Sequence, residues 1–181
     1  MEQSHMRDEA LVGLSSDGDP WAFGELARRY APAMKAVASR LGPSLADVDD
    51  IVQESLLQAW QRLDQLDDPA AVRSWLLRLT ARKAIDHARR HKSHDDVNAL
   101  TSVSAPTPSP DSAAVVSAGS QALARALADL PESQRTVWWL REGADMSYED
   151  IAHTLGISVA SVRGRLARAR HTIMTQLEEW R

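Results

Sequence analysis

Between residues 93 and 120 this chain has almost nothing with which to build a core. The run Ser102 to Pro110 reads SVSAPTPSP, and Asp95, Asp96 and Asp111 have no lysine or arginine within the segment to oppose them. Such a stretch cannot bury enough apolar surface to offset the entropy of ordering it. It is expected to be a flexible acidic linker, with a coil dimension of about 30 Å and an extended reach of about 90–100 Å. The 181 residues are therefore divided into 1–92 and 121–181. Each piece is small enough to hold only a modest core.

Both pieces carry helical periodicity. Leu26, Tyr30, Met34, Val37 and Leu41 recur at helical spacing until Gly42-Pro43 stops them. Val52, Ser55, Leu56, Ala59, Trp60 and Leu63 form one face of a second helix, and Leu77, Ala81, Ala84, Ile85 and Ala88 a narrow face of a third. No stretch alternates with period two for long enough to make a strand, and no repeat of 20–50 residues is visible. The expected fold is all-α, two small helical domains joined by a linker. The absence of cysteine excludes a disulfide scaffold, zinc–thiolate sites and thiol chemistry. No apolar run approaches the roughly 20 residues of a membrane span. The start, Met1 to Ala10, is polar and is not expected to be a signal peptide. A cytoplasmic protein without membrane contact is expected, and no appended sensor domain is expected after Arg181.

The net charge of −4 argues at first against a nucleic-acid partner. Divided along the chain, it says something else. Residues 1–69 carry −7, 70–92 carry +6, 93–120 carry −3, 121–157 carry −3 and 158–181 carry +3. Screening limits the reach of a charge to about 8–10 Å, so local blocks decide what each surface attracts.

The last basic block lies in SYEDIAHTLGISVASVRGRLARAR, residues 147–170. Ser147 with Asp150 resembles a capping box. Gly156 sits where a tight turn needs a left-handed residue, and Ser158 can cap the helix that follows. This is helix-turn-helix punctuation. At 100° per residue, Val162, Leu166, Ala169, Ile173 and Leu177 fall within an arc of about 80°. The opposite face is centred on Ser161, Gly164, Arg168 and His171, flanked by Arg163, Ala167 and Arg170 on one side and Arg165 on the other. Arg163 and Arg168 are expected near bases, and Arg165 and Arg170 on phosphates. Gly164 and Ala167 let the backbone come close. Upstream, Pro131 opens a helix from which Val137, Trp138 and Leu140 are expected to pack behind the recognition helix.

Two further helices have distinctive outer faces. Residues 48–63 leave Asp50, Glu54, Leu57, Gln58 and Gln61 outward, which fits a protein-binding surface or a solvated acidic face. Asp49, Asp50 and Glu54 also have the spacing of a DDxxxE metal motif, but no second carboxylate cluster, histidine pair or phosphate loop accompanies them. Residues 73–90 place Trp75, Arg78, Leu79, Arg82, Lys83, Asp86, Arg89 and Arg90 outside an alanine-rich core face. Cations interleaved with an aromatic suit a single strand; plain helix solvation is the alternative.

Taken in order, AFGELARRY (22–30), DVDDIVQESLLQAW (47–60), RSWLLRLTARKAIDHARR (73–90), LPESQRTV (130–137) and residues 147–170 make the chain resemble a bacterial extracytoplasmic-function sigma factor. The resemblance implies a region 2 bundle over 1–92, a linker over 93–120 and a region 4 helix-turn-helix over 121–181. It implies that Asp47, Asp50, Gln53, Glu54, Leu57 and Gln61 dock on core RNA polymerase. Arg73, Trp75, Arg78, Arg82, Lys83, Asp86, Arg89 and Arg90 would open the −10 element and hold its non-template strand. The loop from Asp64 to Val72 would capture a flipped base, although Asp64, Asp67 and Asp68 make it unusually acidic. Ser161, Arg163, Gly164, Arg165, Ala167, Arg168, Arg170 and His171 would read the −35 duplex. Lys83 stands where many relatives have Asn, and Gly164 and Ala167 where many have larger residues, so −35 reading leans on Arg163, Arg168 and DNA shape. The resemblance further implies promoter-specific initiation without a catalytic site, cofactor or metal, under control of an anti-sigma factor. The alternative is a helix-turn-helix repressor or activator that works without polymerase docking and dimerises on a palindrome.

Overall fold

The computed structural model describes residues 6–95 and 118–179, and among them every regular element is helical. Helices α1 (Asp8–Ser16), α2 (Pro20–Leu41), α3 (Val48–Gln61) and α4 (Val72–Asp95) belong to one compact unit. Helices α5 (Ala118–Ala128), α6 (Glu132–Trp138), α7 (Tyr148–Leu155) and α8 (Val159–Glu179) belong to a second. The 93–120 segment is helical at its two ends, since α4 runs to Asp95 and α5 starts at Ala118. The expected linker interior, 96–117, and the first five residues of the polar start lie outside the described residues.

In the first unit α2, α3 and α4 pack on one another, with Leu26, Met34, Ile51, Leu76 and Leu77 fully buried between them. Asp19 caps α2 by accepting from Trp21 N at 2.9 Å, with Pro20 in the first turn where its missing N–H costs nothing. Gly42 lets the next helix in. A Cβ there would stand 2.7 Å from Ala38 O and 3.0 Å from Ile51 Cδ1. The buried hydroxyls of Ser15, Ser55 and Thr80 donate to carbonyls one turn back, so none is left unpaired.

Helix α1 is too short for periodicity to have announced it. It buries Leu11 and Val12 and lies against α2 and the 3-10 turns Leu63–Gln65 and Pro69–Ala71. Its Asp8 carboxylate accepts from Arg29 at 2.5 Å and from the Tyr30 hydroxyl. Burial first, then this bond, pushes Tyr30 up to about 12.

Two expectations for the bundle fail. Trp60, assigned to the core face, is 38% exposed and meets Phe23 edge-on, ring centroids 5.0 Å apart. Leu79, assigned to the outer arc of α4, is buried. Because α4 packs against both α2 and α3, its buried arc is wider than one face.

The second unit is built around α8. Val137, Leu140, Met146, Ile151, Val162, Leu166 and Ala169 are buried. Ala126, Leu127 and Leu130 close over Ala169 and Ile173, with Trp138, Trp139 and Leu177 packed alongside. The two indoles meet edge to face, centroids 5.1 Å apart, which is the packing role expected of Trp138. Pro131 directly precedes α6 rather than lying within it. Residues Trp139–Gly143 continue α6 as a π-helical turn, in which a Cβ on Gly143 would lie 2.7 Å from the Trp139 ring. No helix of the described residues is long and apolar enough to cross a membrane.

Candidate functional site

The helix-turn-helix forms as its punctuation requires. Ser147 Oγ accepts from Asp150 N at 3.0 Å and donates to Asp150 Oδ2 at 2.9 Å. Gly156 ends α7 with φ +66° and ψ +36°, and its neighbour Ile157 N returns to Ala152 O at 3.0 Å. Ser158 Oγ accepts from Ser161 N at 3.2 Å at the head of α8.

On α8 the buried stripe is Val162, Leu166, Ala169 and Ile173, with Leu177 half-buried. Ser161, Arg163, Ala167, Arg168, Arg170 and His171 are exposed, and Gly164 and Arg165 are half-buried. The arginines are not equivalent. Arg170 Nη2 stands 2.6 Å from Glu142 Oε1, a pairing that raises the guanidinium above its ordinary value. Arg163 lies over the Tyr148 ring, 5.7 Å from its centroid, and Arg141 lies 5.3 Å from the same centroid. Arg168 folds toward Gly164, where a Cβ would be 3.5 Å from its Nη1, an ordinary contact. Tyr148, Glu142 and Arg141 carried no signal in the sequence, since their partners are 15 residues or more away from two of them in the chain.

Helix α4 divides its candidates. Trp75, Arg78, Arg82, Asp86 and Arg89 fall within an arc of about 80° at 100° per residue, all exposed or half-buried. Arg90 is exposed beside this ridge. Arg73 lies off it, close enough to Tyr30 for its charge to oppose, in small part, the rise of that phenol. Lys83 turns to α3 and donates to Glu54 Oε2 at 3.2 Å. His87 Nε2 lies 3.3 Å from Glu54 Oε1, and His91 Nε2 lies 3.8 Å from Asp47 Oδ1. Burial pushes the Glu54 carboxyl up, but Lys83 and His87 outweigh it and hold it below its usual value.

The outer ridge of α3 is therefore Asp50, Gln53, Leu57 and Gln61, all exposed, with Leu57 at 60%. Asp47 and Glu54 stand behind it, toward α4, and Asp47 also accepts from Ser44 Oγ at 2.5 Å. Asp49 pairs with Lys35 at 2.8 Å and Glu54 with Lys83 at 3.2 Å, so two of the three DDxxxE carboxylates have separate cationic partners, while Asp50 is exposed. Among the described residues no group of three or more His, Asp or Glu could hold a metal. In the acidic loop Asp68 is occupied in capping Ala70 N at 3.0 Å, while Asp64 and Asp67 are exposed.

Comparison with known proteins bears on these surfaces. Residues 26–94 match the family described as Sigma-70 region 2, and residues 120–173 match Sigma-70, region 4. The chain is 32% identical over 180 residues to the RNA polymerase sigma factor NccH of Alcaligenes xylosoxydans xylosoxydans, covering 94% of this chain and 95% of that protein. It is 31% identical over 183 residues to the ECF RNA polymerase sigma-E factor of Escherichia coli (strain K12), covering 96% and 95%. Among solved structures, CnrH in complex with the cytosolic domain of CnrY is similar at a TM-score of 0.56 and 29% identity, covering 95% of this chain and 97% of that one. The sigma factor RpoE in complex with the anti-sigma factor NepR, from Bartonella quintana, is similar in fold at a TM-score of 0.57 and 23% identity, covering 86% and 96%.

Proposed function

This chain belongs to the extracytoplasmic-function (ECF) RNA polymerase sigma factors, and from that membership we propose that it binds core RNA polymerase and directs promoter-specific initiation in the cytoplasm. One observation carries the assignment of surfaces. Besides a complete helix-turn-helix in one unit, the other unit carries an acidic-apolar ridge on α3 and a basic-aromatic ridge on α4, two helices packed on each other.

Each ridge suits a different partner. Asp50, Gln53, Leu57 and Gln61 combine a negative charge with an exposed leucine, which suits a protein surface. Trp75 among Arg78, Arg82 and Arg89 suits a separated strand, where a base stacks on the indole and the cations follow the backbone. Ser161, Arg163, Ala167, Arg168 and His171 face a duplex across the groove, with Gly164 and Arg165 at the margins. The residues therefore take unequal shares. Lys83 and Glu54 support each other between the helices, Asp47 holds Ser44 in the turn before α3, and Arg73 stands apart from the strand-facing ridge. The nucleotide chemistry belongs to the polymerase. An anti-sigma partner would act by covering these ridges.

The test is run-off transcription with core RNA polymerase on a promoter library, alongside Asp50→Arg combined with Leu57→Arg. The wild type is expected to initiate at a defined subset of promoters. The double variant is expected to lose core binding by at least about a hundredfold while keeping −35 duplex binding. Unchanged affinity for core would move the docking face off α3. No specific initiation by the wild type would refute the sigma reading.

A further inference from the structure

We propose that Tyr148 and Glu142 are positioning residues for −35 reading: Tyr148 holds Arg163 ready for the DNA, and Glu142 withdraws Arg170 from it. The inference rests on the sigma-factor reading and adds to it two residues outside the recognition helix.

Arg163 and Arg170 are seven positions apart on α8, so they lie within about 20° of each other around its axis. Both border the same side of the DNA-facing surface. From sequence, Arg163 is expected near bases and Arg170 on phosphate along one strip of DNA. The surroundings support the first role and weaken the second. Arg163 sits 5.7 Å from the Tyr148 centroid, inside the range of a cation–π contact, and remains exposed. The ring is steadied from its other contact, because Arg141 lies 5.3 Å from the centroid while its Nη1 donates to Met146 O at 2.7 Å. A guanidinium already stacked on an aromatic loses less freedom when it meets a base edge. Arg170 faces the Glu142 carboxylate at 2.6 Å, presented by the π-helical turn, with the Tyr148 hydroxyl as a lesser second partner. A cation paired in this way contributes little to phosphate neutralisation and counterion release.

The experiment uses the full chain assembled with core RNA polymerase, and a promoter library randomised over the −35 segment. Salt dependence of binding is measured on the duplex the wild type selects and on one it rejects. Tyr148→Ala is expected to flatten base preference at one position by about tenfold, and Tyr148→Phe, which keeps the ring, to restore it. Glu142→Gln is expected to tighten binding to the rejected duplex and to steepen the log K against log salt slope by about one. If Tyr148→Ala lowers output from all promoters alike and leaves base preference intact, Tyr148 is only structural and the proposal is wrong. An unchanged slope in Glu142→Gln removes the role given to Glu142. If the wild type selects no −35 sequence at all, the failure lies in the sigma reading and the proposal falls with it.

Discussion

The two basic helices, α4 and α8, look alike as sequence and differ in how their charge is used. On α4 the division is between faces. Lys83, His87 and His91 turn toward Glu54 and Asp47, and Trp75, Arg78, Arg82 and Arg89 line a separate, outer ridge. On α8 the division is within one face, where Arg170 is matched by Glu142 and Arg163 by an aromatic ring. A count of cations therefore overstates what either helix offers to DNA. The lesson is that intramolecular partners select which charges are available.

The strongest way to break the comparison is to unfold one side of it. Leu77 is buried in the first unit and Leu166 in the second. Leu77→Ala and Leu166→Ala are each expected to cost about 2–5 kcal/mol. In chemical denaturation each should lower the midpoint of its own unit and leave the other's unchanged. A single shared transition that moves with either variant would show that the units fold as one.

A smaller effect separates the two DNA partners. Trp75→Ala is expected to weaken binding of a single-stranded −10 oligonucleotide by about 1–3 kcal/mol with duplex binding unaltered. Arg168→Ala is expected to lose a similar amount, about 1–3 kcal/mol, on the −35 duplex alone. Fluorescence anisotropy with both probes reads the crossover, and equal losses on both would erase the proposed division of labour.

The smallest effect probes the α3–α4 pairing. Glu54 has a folded pKa below its ordinary 4.5, so its contribution is present above that value and disappears as pH falls through the depressed one. The side chain is 43% exposed, so solvent screening limits the contribution to a few tenths of a kcal/mol. Lys83→Met should shrink the acid-side loss of stability of the first unit, measured by thermal melts between neutral pH and pH 3. An identical pH profile in that variant would show that Lys83 does not set the Glu54 titration.

How much of this was legible beforehand depends on the distance over which each feature is encoded. Ser147, Gly156 and Ser158 act on backbone groups within a few residues, so the helix-turn-helix could be read from their spacing. The buried stripe of α8 followed from one period and one neighbour surface. Leu79 and Trp60 were misplaced because burial depends on how many helices cover a face. The pairs Lys83–Glu54, Arg170–Glu142 and Arg163–Tyr148 join residues from different helices. No local pattern announces them. Helix α1 was missed for a related reason: its nine residues hold too little periodicity, and Arg29 and Tyr30 of α2 fix it in place.

The left-handed turn at Gly156, fixed by bonds on both sides, has a kinetic and entropic consequence. The reading helix leaves folding already set at one angle to its support, with two of its arginines already restricted in their rotamers. Immobilising a long side chain on binding costs about 0.5–1.5 kcal/mol. Here part of that ordering belongs to the fold, so a passing duplex meets a surface that has little left to arrange. Rejection of a wrong sequence can then be fast, because the protein need not rearrange before it lets go.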